Sequence, residues 1–157
     1  MNIEQAIQQT SFRSETEKMV VNLIYTGNWI LGINAKALKP LGLTTQQYNV
    51  LRILKGQYPE PAPVSLVSER MLDKMSNASR LIEKLRQKNL VERTVCKHDR
   101  RQVDVKLTEQ GISVLEEANK NVGKAAEAFQ QLSQQEAATL NTLLDKLRSN
   151  AGPNLDE

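Results

Sequence analysis

Residues 76–107 read SNASRLIEKLRQKNLVERTVCKHDRRQVDVKL, and their pattern changes halfway along. On a helical wheel begun at Ser76, the residues Ala78, Leu81, Ile82 and Leu85 share one face. Ser76, Ser79, Arg80, Glu83 and Gln87 hold the opposite face, with Asn77 and Lys84 on its flank. Asn89 stands where a helix hands the chain to the left-handed region, which Asn tolerates after Gly. Val91–Cys96 and Gln102–Leu107 then alternate with a period of two. They predict two short strands joined by a charged tip, Lys97-His98-Asp99-Arg100-Arg101. Between Arg80 and Lys106 stand nine Lys/Arg against four acids, a net +5 in a chain of +3 that leaves the remainder at −2. The positive charge is concentrated in one place, as phosphate binding requires.

A helix with an apolar and a basic face, followed by a basic hairpin, predicts a winged helix-turn-helix: a mainly α fold with a small β wing. The polar face suits a DNA groove. Small residues such as Ser76 and Ser79 let the backbone approach, and a helix N-terminus attracts phosphate. Arg80 can bind guanine bidentately and Asn77 can read adenine. Glu83, three residues on, can orient Arg80 or accept from a cytosine amine. Lys84, Gln87, Lys97, His98, Arg100 and Arg101 complete the candidate DNA-binding set, and Asp99 is expected to pair with an Arg and hold the tip's shape.

The 157 residues suffice to bury a sizeable core, and 39% hydrophobic with 25% charged residues is ordinary soluble composition. Aromatics at 4% argue against a stacking platform for single strands. The lone Cys96 and lone His98 exclude an intrachain disulfide and a zinc site of the usual Cys/His kind. No metal or cofactor is expected. The opening MNIEQAIQQT lacks the pattern of a signal peptide, and no run is long and apolar enough for a membrane span, so a cytoplasmic protein without membrane contact is expected.

Outward from the central stretch, residues of about 3–38 read as one long helix, with apolar residues at Met19, Val20, Leu23, Ile24, Ile30, Leu31 and Leu38 and interruptions at Gly27 and Gly32. Its apolar surface exceeds what one small lobe can cover. Thr44-Thr45-Gln46-Gln47 has the form of a capping box and opens a helix that stops near Gly56. The prolines at 59, 61 and 63 demand an extended connector, which can supply the first strand of a three-stranded sheet. Ser65 is expected to cap a short helix, Leu72–Met75 to turn, and Ser76 to cap the central helix. Thr108 caps a further helix through Phe129, Ser133-Gln134-Gln135-Glu136 opens the last one, and the tail from Ala151 reads as frayed.

This order of elements resembles the MarR family of bacterial transcription regulators. The likeness is sharpest in Arg80-Leu81-Ile82-Glu83-Lys84-Leu85 with Lys88-Asn89-Leu90-Val91-Glu92-Arg93, in Asp99-Arg100-Arg101, and in Leu107-Thr108-Glu109-Gln110-Gly111. It implies a single domain over 1–150, with a winged lobe at about 43–107, dimerisation helices at about 3–38 and 108–150, and a flexible tail over 151–157. It further implies a homodimer on a pseudo-palindromic double-stranded operator, its recognition helices about 34 Å apart. A repressor released by a small aromatic or phenolic effector is expected, with Tyr25, Trp29 and Tyr48 as candidate pocket residues. Three departures stand out. Asn89 replaces the family's usual Gly, Leu72-Asp73-Lys74-Met75 is not its usual turn, and the first helix lacks the Cys of its peroxide sensors.

Blander readings stand beside these. The face of Arg80 and Lys84 is a solvated helix surface if the hairpin is ignored, and Arg100 and Arg101 are then ordinary surface charge. The three aromatics are more often plain core. Cys96 is either inert packing or a redox switch, the latter making the protein a redox-responsive regulator. A Cys96–His98 nucleophile pair would sit on an exposed tip with nothing to exclude water, so an enzyme is not expected. The remaining rival is a winged-helix module that binds protein, which should show exposed apolar anchors where Ser79, Arg80, Lys84 and Gln87 are polar.

Overall fold

The computed structural model describes residues 1–95 and 103–149. The candidates Cys96, Lys97, His98, Asp99, Arg100 and Arg101, and the tail from residue 150, lie outside the described residues. The chain forms two compact units, residues 1–122 and 123–157.

In the first unit the expected single helix over about 3–38 is two. Asn2 and Gln5 form a reciprocal capping box on α1 (Ile3–Ile7), and the chain leaves it at Gln8 with φ 56°. A new helix, α2 (Glu15–Leu38), starts where the Ser14 hydroxyl accepts from the Glu17 N–H at 3.1 Å. Two capping signals flank a polar run, Gln8 to Ser14, that has little apolar surface to hold it on a helix. Lys18 ties the two helices together through Glu4 at 2.6 Å. Gly27 and Gly32 do not interrupt α2, and a Cβ at either would meet nothing within 4 Å.

Pro40 lies in a short 3-10 turn that Gly42 closes at φ 63°. The Thr44–Gln47 capping box then opens α3 (Thr45–Lys55), with both reciprocal bonds at 3.1 Å. Past the prolines, β1 (Ala62–Pro63) leads directly into α4 (Val64–Arg70). Its N-cap is Pro63 rather than Ser65, because the strand ends at the residue whose ring already fixes φ for a helix start. The central helix, α5 (Ala78–Gln87), is followed by β2 (Val91–Val95), β3 (Val103–Leu107) and α6 (Glu109–Ala126). The sheet order is β1-β3-β2, all antiparallel, with Ala62 opposite Val105 and Val91 opposite Leu107.

One core joins these elements. Leu51, Val50, Val67, Ile82, Leu85, Val105 and Leu115 are each at most 1% exposed, so α3, α4, α5, β3 and α6 share it. Burying a side chain of this size stabilises by roughly 1.5–3 kcal/mol, which is why the apolar face of α5 faces inward. The surface of α2 is different. Val20, Ile24, Tyr25, Trp29 and Leu31 remain 40–61% exposed, and Val20, Ile24 and Leu31 follow a spacing that puts them on one stripe with Gly27.

In the second unit a 3-10 turn (Glu127–Phe129) ends the helical run expected through Phe129. Ser133 and Glu136 form the expected box, with the Ser133 N–H donating to Glu136 Oε2 at 2.8 Å. The helix α7 (Gln134–Ser149) then exposes Leu140, Leu143 and Leu147 at heptad-like spacing.

Candidate nucleic-acid interface

The exposed face of α5 exists because the opposite face is committed to the core. Ala78, Ile82 and Leu85 are buried and Leu81 is half-buried, which leaves Ser79, Arg80, Lys84 and Gln87 in solvent. The N-cap is Asn77, not Ser76. Asn77 Oδ1 accepts from the Arg80 N–H at 2.9 Å. Asp73 decides the competition: its carboxylate accepts from the Ser76 hydroxyl at 2.9 Å and from the Met75 N–H at 3.1 Å, which holds Ser76 in the turn. Asn77 therefore spends its carbonyl oxygen on the helix and has only its NH₂ left for a base.

The charges on this side are sorted by two glutamates. Glu83 bonds Arg86 at 2.8 Å and Arg93 of β2 at 3.4 Å, and does not orient Arg80 as expected. The Arg86 guanidinium, with Arg93 adding its charge, holds the Glu83 carboxyl below the usual carboxylate range. Arg86 lies on the side of α5 that meets β2, within reach of Glu83 at three residues' spacing, so the acid turns toward the sheet. Glu92 in turn pairs with Lys106 across the strands at 2.9 Å and raises its pKa. Arg80 and Lys84 have no ion-pair partner among the described residues. They are the cations of α5 available to an anion.

The exits of α5 are held tightly. Lys88 caps the helix end and its ammonium donates to the Gly42 carbonyl and, at 3.3 Å, to the buried Gln47 Oε1, locking α5 onto the start of α3. Asn89 takes φ 57°, the left-handed conformation expected of it. Its carbonyl accepts from the Thr108 hydroxyl at 2.7 Å, while Thr108 Oγ1 in turn accepts from the Gly111 N–H at 2.9 Å. The exit of α5 and the start of α6 thus meet in a single clasp.

The turn between α4 and α5 was the least specified by sequence, and it carries the residues that sequence reasoning missed. Asn49 of α3 accepts from the Leu72 N–H at 2.9 Å, and Lys74 donates to the Glu69 carbonyl at 2.6 Å. With the Asp73 bonds, these pin a turn that leaves Leu72 85% and Met75 94% exposed. An apolar pair inside a polar loop carries no periodic signal, so only the fold reveals it.

Tyr25 and Trp29 are exposed on α2, while half-buried Tyr48 donates its hydroxyl to Asn119 Oδ1 of α6 at 2.7 Å with Arg52 over its ring at 5.9 Å. Two surface clefts, of about 500 Å³ between the end of α5 and β2 and about 440 Å³ between the Tyr58-Pro59 connector, the sheet and the start of α6, are lined by none of the three aromatics. No helix among the described residues is long and apolar enough to cross a membrane.

Residues 41–102, a stretch that runs from the turn before α3 through α5 and β2, match the family model described as MarR family. Solved structures align over nearly the whole chain. CouR from Rhodococcus jostii RHA1 bound to p-coumaroyl-CoA is 26% identical, covering 93% of this chain and 100% of that one at a TM-score of 0.71. A MarR-family transcriptional regulator from Rhodococcus sp. RHA1 is 25% identical over 90% of this chain and 98% of that one, with a TM-score of 0.70. A mutant MarR from E. coli complexed with operator DNA shares the fold at a TM-score of 0.76, with 24% identity over 88% of this chain and 99% of that one.

Proposed function

We propose that the chain is a member of the MarR family of transcription regulators and acts as a homodimeric, sequence-specific, DNA-binding repressor released by a small effector. The observation that carries the reading is the division of α5, which buries Ala78, Ile82 and Leu85 and presents Ser79, Arg80, Lys84 and Gln87. Arg80 reads guanine at the centre of each half-site, Lys84 and the cations of segment 97–101 meet phosphates, and Asn77 contributes its NH₂. In this reading residues 1–150 form one functional domain, and the exposed apolar stripe of α2 and that of α7 each meet a partner protomer. The effector is an aromatic or phenolic compound bound beside Tyr25, Trp29 and Tyr48. The hydrogen bond from Tyr48 to Asn119 supports that location, because it links α3, which packs against α5, to α6.

Two experiments test this. Arg80→Ala is expected to cost roughly 1–3 kcal/mol on the operator and to flatten base preference at one position of each half-site. A gel-shift series on sites selected from random DNA reads both, and unchanged affinity and preference would refute the assignment. Light scattering at micromolar concentration should give twice the 17.7 kDa protomer mass, and a mass near 17.7 kDa removes the dimer.

A further inference from the structure

The turn before the recognition helix has a feature that phosphate and guanine contacts do not use. Apart from the N-terminal Met1, Leu72 and Met75 are the most exposed large apolar side chains among the described residues, at 85% and 94%. Single exposed apolar residues are ordinary. Here two stand three residues apart on a turn whose backbone is fixed at both ends. The Leu72 N–H is held by Asn49, the Met75 N–H by Asp73, and Ser76 by its N–H and hydroxyl on Asp73. The ordering cost of the tip has already been met in the free protein, which is how a contact surface differs from a loose loop.

From this we infer that Leu72 and Met75 form an apolar tip that packs on thymine methyl groups in the major groove and sets part of the operator preference. The inference rests on the DNA-binding reading above. The argument for DNA over another occupant is continuity and chemistry. Met75 lies two residues before the cap of α5, so whatever admits Ser79 and Arg80 also admits the tip. The only apolar group on the major-groove edges of the bases is the thymine methyl. The unbranched, polarizable side chain of Met adapts to such a group without a preformed pocket. The tip is also electrostatically tolerable near phosphate. Asp73 has its two carboxylate oxygens engaged by the turn, and the neighbouring Lys74 balances its charge.

The test replaces the methyl, not only the side chain. The full-length protein is used to select an operator from random DNA, and each thymine of one half-site is then replaced in turn by deoxyuridine. For the wild type, at least one replacement is expected to weaken binding about fourfold, the effect of burying one methyl-sized group. In the double variant Leu72→Ala/Met75→Ala the same replacement should have no effect, and Met75→Leu should restore part of it. Thermal melts of the variants, expected to match the wild type since both residues are exposed, separate reading from folding. An equal deoxyuridine penalty in wild type and double variant overturns the inference while leaving the regulator reading intact. A wild type indifferent to every replacement overturns it as well. Failure to bind any duplex overturns both.

Discussion

Replacing Gly111 with alanine is expected to lower the melting temperature by about 4–8 °C at fixed protein concentration, the net effect after the roughly 1 kcal/mol by which alanine is the better helix former. A Cβ built on Gly111 lies 1.9 Å from the Leu90 carbonyl oxygen, 2.9 Å from its carbonyl carbon and 3.3 Å from its Cα. All three atoms are backbone, so no side chain can swing aside. Leu90 is further held because its carbonyl accepts from the Thr108 N–H at 3.2 Å and its N–H donates to Leu85 at 3.0 Å. The first turn of α6 must therefore move away from the exit of α5. Overpacking of this kind costs about 3 kcal/mol, at the upper end of its usual range, because the obstacle is main chain. Calorimetry or a circular-dichroism melt decides it, and an unchanged or raised melting temperature would show that the clasp yields. Operator affinity should fall with stability, since the clasp also sets the attitude of α5.

Raising the salt from about 50 to about 200 mM is expected to weaken operator binding by more than about a thousandfold, the loss for roughly six neutralised phosphates at a log–log slope of about −0.9 each. Six phosphates are three per protomer, Lys84 with two of the cations of segment 97–101, once the cations committed elsewhere are set aside. Arg86 and Arg93 are held by Glu83, and Lys106 by Glu92, so of the basic residues on α5 and the strands Arg80 and Lys84 stand out as available. With Arg80 on a base, the two copies of Lys84 in a dimer alone give a slope of about −1.8. Lys97, Arg100 and Arg101, assigned to DNA by sequence, would steepen it to about −7.2 if all six copies met phosphate. Fluorescence anisotropy across a salt series thus measures whether segment 97–101 takes part. A slope no steeper than about −1.8 would mean that segment 97–101 does not face the backbone.

Much of this was legible in the sequence wherever a local rule met no competitor. Thr44 with Gln47 and Ser133 with Glu136 are reciprocal caps that need nothing from the rest of the fold. Asn89 could be placed in the left-handed region because the run before it was helical and the run after it alternated. The buried face of α5 followed from spacing. Errors came where two local signals compete and a third residue arbitrates. Ser76 and Asn77 are both good caps, and Asp73 removes Ser76 from the contest. Glu83 lies three residues from both Arg80 and Arg86, and Arg93 on the neighbouring strand tips it toward Arg86. The polar run between α1 and α2 was hidden inside an apolar periodicity that resumes after it. The apolar tip at Leu72 and Met75 has no periodic signature at all.

The clasp at Asn89, Thr108 and Gly111 has an evolutionary consequence. It fastens α5 by backbone and by residues off its exposed face, so the side chains proposed to meet the operator contribute almost nothing to holding the helix in place. Substitutions at Leu72, Met75, Ser79, Arg80, Lys84 and Gln87 should each change stability by no more than about 0.5 kcal/mol, the usual range for exposed positions. Operator preference can then drift by single steps without passing through unfolded intermediates, and a gene duplicate could acquire a new set of promoters while its fold stays under unchanged selection.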